Sequence, residues 1–303
     1  MDEEEYKFKY RKIEQVWYIL FTLSEVAFSM PNLCIGKLGG YYEAGEAVQS
    51  MMKTLENIDF CCRRNSYSDA YVFLRKYRDD FMLYHFLVHV IKNRKEDTSE
   101  TFDWERLFNS PDELLEIIER GIAELLDGKH KNEDALAMES WMYNTLEEDT
   151  NHTIRKRYYG ASKYKKYLIE NSEDVAYIFK AYFEEKWKNI DRLLYNYVHV
   201  NGIRYMTDNY VRVDSINQKA KDNKLIDIFL QLTDIFLVLL AVVDSTRMQD
   251  LNYLEAIEVG MNIPVEACYS VNKLVLGYMD ERIDIQLISY LQENDKNGMQ
   301  FVI

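Results

Sequence analysis

The sequence predicts an all-α fold, a bundle of long helices, on three observations. Only 11 Gly and 3 Pro occur among 303 residues, so the usual turn-forming residues are scarce. Apolar residues recur at helical spacing along the whole chain. No stretch alternates between polar and apolar residues as a half-buried strand does. We therefore expect few interruptions and long helices.

The first three helices are predicted from apolar periodicity and from capping residues. The first runs from Glu4 to Met30 and the second from Gly40 to Arg64. The third begins at an N-cap on Ser66 or Ser68, residue types that bind free backbone N–H groups, and it ends near Asn93.

The remaining helices are predicted in the same way. Ser172, followed by two acidic residues, is a strong N-cap signal, and Gly202 is placed as the C-cap of that helix. Ile203–Ser215 is predicted to be a loop. The other expected helices are Ser110–Gly128, Asn132–Asp149, the very apolar Ile216–Met248, and a terminal helix that ends near Glu293 after a loop with Gly260 and Pro264.

We divide the chain into three parts that are expected to form one compact domain. Residues 1–95 carry N-terminal helices, 96–171 form a helical insertion, and 172–303 complete the bundle. The first residues are charged rather than apolar, which predicts no signal peptide. The four cysteines lack a CxxC pair, which favours reduced thiols and a cytoplasmic location.

The charge of the chain limits the classes of partner. It has 37 basic and 51 acidic residues, a net charge of -14, which argues against coating of nucleic acid or anionic membrane by the whole surface. The stretch Leu225–Val243 is long enough to span a membrane, but it contains Asp227 and Asp234, so no membrane association is expected.

Arg78 and His85 form the first candidate site. They are seven positions apart in the third helix, so both side chains leave one face, about 10 Å apart along the axis. A guanidinium can hold a phosphate, and an imidazole can move a proton near neutral pH. Such a pair can support cleavage of a phosphodiester without a metal.

At these residues the chain resembles the HEPN superfamily, in which an Arg, usually followed by a polar residue, precedes a His with four to six residues between them. Asp79 is the polar residue here, and six positions separate Arg78 from His85. The resemblance implies a helical bundle, often a homodimer, and a metal-independent ribonuclease of a toxin–antitoxin or anti-phage defence system. It also implies that Arg78 orients the phosphate and that His85 is the acid or base toward attack by a 2′-hydroxyl.

A second pair, Arg192 and His199, has the same spacing but a leucine after the arginine. His199 precedes the expected end of its helix, where the negative end of the helix dipole favours a charged imidazole. We expect a composite catalytic site of Arg78, Asp79, His85 and His199. The open alternative is that Arg78 forms ion pairs, that His85 and His89 belong to the core edge, and that His199 caps its helix.

A basic segment, Asn151–Tyr167, has six basic residues and no acidic one. Cations follow phosphates and tyrosines stack on unpaired bases, so this composition favours contact with single-stranded RNA. The alternative is a solvated segment paired with the protein's own acids. The candidate RNA-binding residues are Arg155, Lys156, Arg157, Tyr158, Tyr159, Lys163, Lys165 and Lys166.

No cofactor is expected, because no phosphate-binding glycine loop or zinc spacing occurs, and no metal site is expected without a Glu-x-x-His pair. Asp234 on the apolar helix would need a counter-ion if buried, with Arg75, Arg78 or Arg192 as candidates. The function expected is a metal-independent endoribonuclease that acts on RNA, with tRNA as one candidate. The alternative is a non-catalytic HEPN-like module that binds a ligand or a partner protein, such as an antitoxin or a regulatory protein.

Overall fold

The computed structural model describes residues 10–26, 44–93, 160–199, 203–209, 215–262 and 271–295. These residues form an all-α structure, and within them β-type pairing is limited to an isolated bridge between Gln249 and Val271. The predicted all-α class is therefore confirmed. The expected helices between Ser110 and Asp149 lie outside the described residues.

Three N-terminal helices occur, as predicted, and the first begins seven residues later and ends five residues earlier than expected. They are α1 (Arg11–Glu25), α2 (Ala44–Arg63) and α3 (Tyr67–Lys92). The tight connection between α2 and α3 has Asn65 at φ 58°, a left-handed conformation that Asn tolerates, and the N–H of Ser66 donates to the carbonyl of Cys61. This turn folds α3 back against α2.

The central part begins with α4 (Ala161–Asn171) and α5 (Glu173–Ile178). The Ser172 hydroxyl accepts a hydrogen bond from the N–H of Val175, so the predicted N-cap is confirmed. A π-helical turn, Phe179–Phe183, then leads directly into α6 (Glu184–Val198). Its extra residue shifts the register, and the buried face continues through Phe179, Phe183 and Trp187.

The C-terminal part differs from the prediction at three places. The expected loop Ile203–Ser215 contains a short helix, α7 (Arg204–Asp208). The apolar helix α8 (Ser215–Val243) ends five residues early, and a 3₁₀ turn, Ser245–Met248, follows. The terminal region is divided into α9 (Leu251–Glu258), α10 (Lys273–Arg282) and α11 (Ile285–Glu293), because Asp284 caps a new helix by accepting from the N–H of Gln286.

Helix α8 lies at the centre of the bundle. Its long apolar stretch has the length and hydropathy of a membrane span, yet 72% of the residues of that stretch are buried inside the protein. Helix α3 packs along it in the same direction, with Tyr67 near Asp222 and Tyr84 near Asp244. Residues 232–243 are almost all buried, as expected for a stretch that is apolar on nearly all sides, whereas Asp227 is exposed.

Candidate functional site

Arg78 is buried, and its guanidinium forms ion pairs with two carboxylates of the same chain. Its Nε and Nη2 donate to Oδ1 of Asp79 at 2.9 and 2.7 Å, and its Nη1 donates to Oδ1 of Asp191 on α6. The Arg78 side chain is only 5% exposed, against 35% for Asp79 and 42% for Asp191. Both acids thus lie between this arginine and solvent.

The Trp187 ring packs against the guanidinium of Arg78. The Arg78 Cζ lies 5.6 Å from the centre of the buried Trp187 ring, a distance at which a cation is attracted to the negative face of an aromatic ring. Trp187 and Asp191 are one turn apart on α6, so a single face of α6 supplies both partners. The ring and the carboxylate together fix the position of Arg78.

His85 lies in a different environment, in the core between α3 and α8. It has no exposed surface and is surrounded by aromatic rings, with Tyr84, Phe236 and Phe81 at centroid distances of 5.3, 5.5 and 6.3 Å. Its Nε2 lies 3.2 Å from the carbonyl oxygen of Phe236. Because a carbonyl only accepts, Nε2 carries the proton.

The other ring nitrogen of His85, Nδ1, has no hydrogen-bond partner among the residues that the structure describes. Burial lowers the pKa of His85 from 6.5 to about 3, although the hydrogen bond to Phe236 and the charge of Asp244 act in the opposite direction. A neutral imidazole sealed in the core does not exchange a proton with a substrate near pH 7.

The structure does not bring the predicted composite site together. Arg78 contacts α6, whereas His85 contacts α8. His199 is exposed at the C-cap of α6, two turns beyond Asp191, with its ring 4.2 Å from that of Tyr195. Its backbone N–H donates to the carbonyl of Tyr195, which agrees with the alternative of a helix-capping residue. Only Arg78 and Asp79 are direct neighbours.

Part of the basic segment lies beside Arg78. Lys165 on α4 places its Nζ 5.5 Å from the centre of the Trp187 ring and 5.7 Å from that of Phe179. Lys163 and Lys166 are exposed, and Lys166 pairs with Glu170. The other candidate RNA-binding residues, Arg155, Lys156, Arg157, Tyr158 and Tyr159, lie outside the described residues.

Lys165 is a half-buried cation that forms no ion pair with any residue that the structure describes. Within the part of the chain that the structure describes, no carboxylate lies within 4 Å of its Nζ. Burial lowers the pKa of Lys165 below its usual value, and the charges of Asp191 and Glu184 oppose that change. Asp191 thus faces both Lys165 and Arg78.

We call these residues, Arg75, Arg78, Asp79, Lys165, Trp187 and Asp191, the α3–α6 charged cluster. Arg75 joins it through Asp79, whose Oδ2 lies 3.5 Å from the Arg75 Nε. The cluster has three cations and two carboxylates, an excess of positive charge in a chain whose net charge is -14. It is the candidate functional site.

No protein-family model, curated protein or solved structure matches this chain. The candidate site therefore rests on its own geometry.

The other described parts of the chain offer no comparable site. A cavity of about 30 Å³ lies among Asp174, Val242, Tyr290 and Asp295, which is space for water rather than for a small-molecule ligand. The described residues contain no group of three or more His, Cys, Asp or Glu side chains arranged to hold a metal ion. The charged cluster therefore remains the candidate site.

Sequence reasoning missed Trp187 and Asp191, although it found Arg78 and Lys165. The two missed residues lie on the same helix as the second Arg–His pair, but their spacing to Arg78 depends on how α3 and α6 pack. The three arginines predicted as counter-ions for Asp234 were also wrong. That carboxylate is buried and accepts two hydrogen bonds of 2.8 Å from Arg282 on α10.

Proposed function

We propose that this protein is a non-catalytic helical module that binds a ligand or a partner protein through the α3–α6 charged cluster. The observation that carries the proposal is that both members of the Arg–His pair have internal roles. Arg78 is held by two carboxylates, and His85 is sealed in the core. The cluster itself remains partly open to solvent at Asp79, Asp191 and Lys165.

The first test asks whether the protein cleaves RNA. Purified protein is incubated with tRNA and with single-stranded RNA in excess EDTA. We expect no cleavage above that of a mock purification. Cleavage that is lost in Lys165→Gln or Arg78→Ala variants of unchanged helical content would contradict the proposal.

The second test asks whether the cluster binds. Lys165→Glu reverses one charge at the cluster, and Lys53→Glu makes the same change on an exposed part of α2. We expect a ligand or protein that binds the parent to bind Lys53→Glu equally and Lys165→Glu at least tenfold more weakly. Equal binding by the two variants contradicts a role for the cluster.

A second candidate, the metal-independent endoribonuclease, is favoured by the position of Lys165 beside Arg78. Two cations on one tryptophan could hold an RNA phosphate. The resemblance to the HEPN superfamily and the homodimer that it implies both stay predictions. The cleavage assay decides between the two candidates.

A further inference from the structure

The α3–α6 charged cluster has an unusual distribution of counter-charges. Arg78 has two carboxylate partners, whereas Lys165, at a similar distance from the Trp187 ring, has none within the described residues. Asp191, on α6, contacts Arg78 and also acts on the charge of Lys165. Among the described residues, Asp191 has no ion-pair partner besides Arg78. Glu184, which also acts on Lys165, already accepts a hydrogen bond from Lys188.

The acids and the bases of the cluster also differ in exposure. The Arg78 side chain is 5% exposed and is held by its ring and by Asp79, so it cannot follow a partner into solvent. The Asp191 side chain is 42% exposed, so water can solvate its carboxylate when it rotates outward, and the cost of the rotation is the partner that the buried Arg78 loses. Rotation of Asp191 would free the Nη1 of Arg78 for another acceptor, close to the Trp187 ring that Lys165 also approaches.

We propose that the position on Arg78 now taken by the Asp191 carboxylate is a binding site for a phosphate group, and that Asp191 occupies it in the absence of the ligand. A phosphate carries more charge than a carboxylate and offers three or more acceptor oxygens. It can accept from Arg78 Nη1 in place of Asp191 and from the Nζ of Lys165. Trp187 links the two cations, since they lie 5.6 and 5.5 Å from the centre of its ring.

The remaining charged groups agree with one bound phosphate. Asp79 stays on Arg78 and Arg75, which keeps the guanidinium oriented. Arg75 adds a third positive charge from the next turn of α3. With Asp191 turned away, three cations face one carboxylate, and a phosphate restores the balance. The ligand inferred is a free phosphate or a phosphomonoester, and this inference rests on the proposed binding function.

The test is a calorimetric titration of the full chain with inorganic phosphate at constant ionic strength. Lys165→Gln removes one proposed phosphate contact, and we expect it to weaken binding about tenfold. Asp191→Asn keeps the shape of the side chain but removes the competing charge, so we expect phosphate to bind about tenfold more tightly. Lys53→Gln, with the same change in net charge on α2, is the control and is expected to match the parent.

Three results would overturn the inference. One is the absence of phosphate binding in both the parent and Asp191→Asn. Another is equal binding by Lys165→Gln and Lys53→Gln. The third is weaker binding by Asp191→Asn with unchanged helical content, because that would make Asp191 a support of the site rather than its competitor.

A second titration identifies the source of the phosphate. Tighter binding of AMP than of inorganic phosphate supports a phosphomonoester, and equal binding supports free phosphate. If adenosine binds as tightly as AMP, the phosphate makes no contribution and the inference is overturned. The RNA cleavage assay measures a different quantity, so the proposed function and this inference can fail separately.

Discussion

Arg78 joins α3 to α6, and its substitution tests that role. In Arg78→Met, Asp191 loses its cation and Asp79 keeps only Arg75, although both carboxylates are partly solvated. We expect a loss of about 2 kcal/mol in the free energy of unfolding, less than for a fully closed ion pair. Denaturant unfolding of the parent and of the variant measures this difference in the free energy of unfolding.

The matched control is Arg192→Met, the arginine of the second Arg–His pair. Arg192 is exposed on α6 and donates only to Asn189 at 3.3 Å within the described residues. We expect a change below about 0.5 kcal/mol, as for other exposed positions. Equal losses in the two variants would show that Arg78 has no special structural role.

For single residues, the sequence predicted which side chains share a face but not what covers that face. The seven-residue spacing placed Arg78 and His85 on one side of α3. The packing of that side differs along its length, since α6 covers Arg78 and α8 covers His85. Which helix covers a given turn depends on contacts distant in sequence, so the Arg78–Asp191 pair could not be predicted.

Among the helices, the contact between α8 and α10 depends on a buried charge. Asp234 accepts from Nε and Nη2 of Arg282 at 2.8 Å each, and from the hydroxyl of Tyr278 at 2.9 Å. Arg282→Met leaves the carboxylate buried with only one donor. We expect a loss of at least about 2 kcal/mol in the free energy of unfolding, measured in urea.

The control for this prediction is Lys12→Met. Lys12 and Glu281 form an ion pair of 2.6 Å between α1 and α10, but their side chains are 38% and 55% exposed. Exposed pairs contribute about 1 kcal/mol or less, so we expect a clearly smaller loss. Similar losses in the two variants would contradict the distinction that we make between buried and exposed pairs.

Helix starts were predictable where a capping residue acts locally, as at Ser172. Helix ends were less predictable. The predicted end of this helix is Met248, yet α8 stops at Val243, and Asp244, which follows it, is buried and accepts from the hydroxyl of Tyr84 at 2.6 Å. That hydrogen bond joins residues 160 positions apart in the chain. A local pattern does not contain this information.

The molecule as a whole is organised around α8. Because His85 is buried in the core against α8, the stability of the fold depends on pH. The unfolded chain takes up a proton at His85 at the ordinary pKa of 6.5, whereas the folded protein does so only at about 3. The unfolded state therefore binds more protons in this window, and stability falls as the pH decreases from 6.5 to 3. The slope expected from His85 is about 1.4 kcal/mol per pH unit.

The contribution of His85 is isolated by comparison with His85→Leu. Other groups also titrate in this range, so the prediction concerns the difference between the two proteins. The free energy of unfolding of His85→Leu should decrease less steeply below pH 6.5 than that of the parent. Parallel curves for parent and His85→Leu would contradict the burial of His85.

The most direct test of the account is an NMR titration of the imidazole nitrogens of the five histidines between pH 5 and pH 8, with His85 assigned by substitution. If His85 is a core residue rather than a catalytic one, its ring stays neutral over this range, with the proton on Nε2. Titration of His85 with a midpoint near 6.5 would show a solvent-accessible imidazole and would contradict the structural role assigned to it.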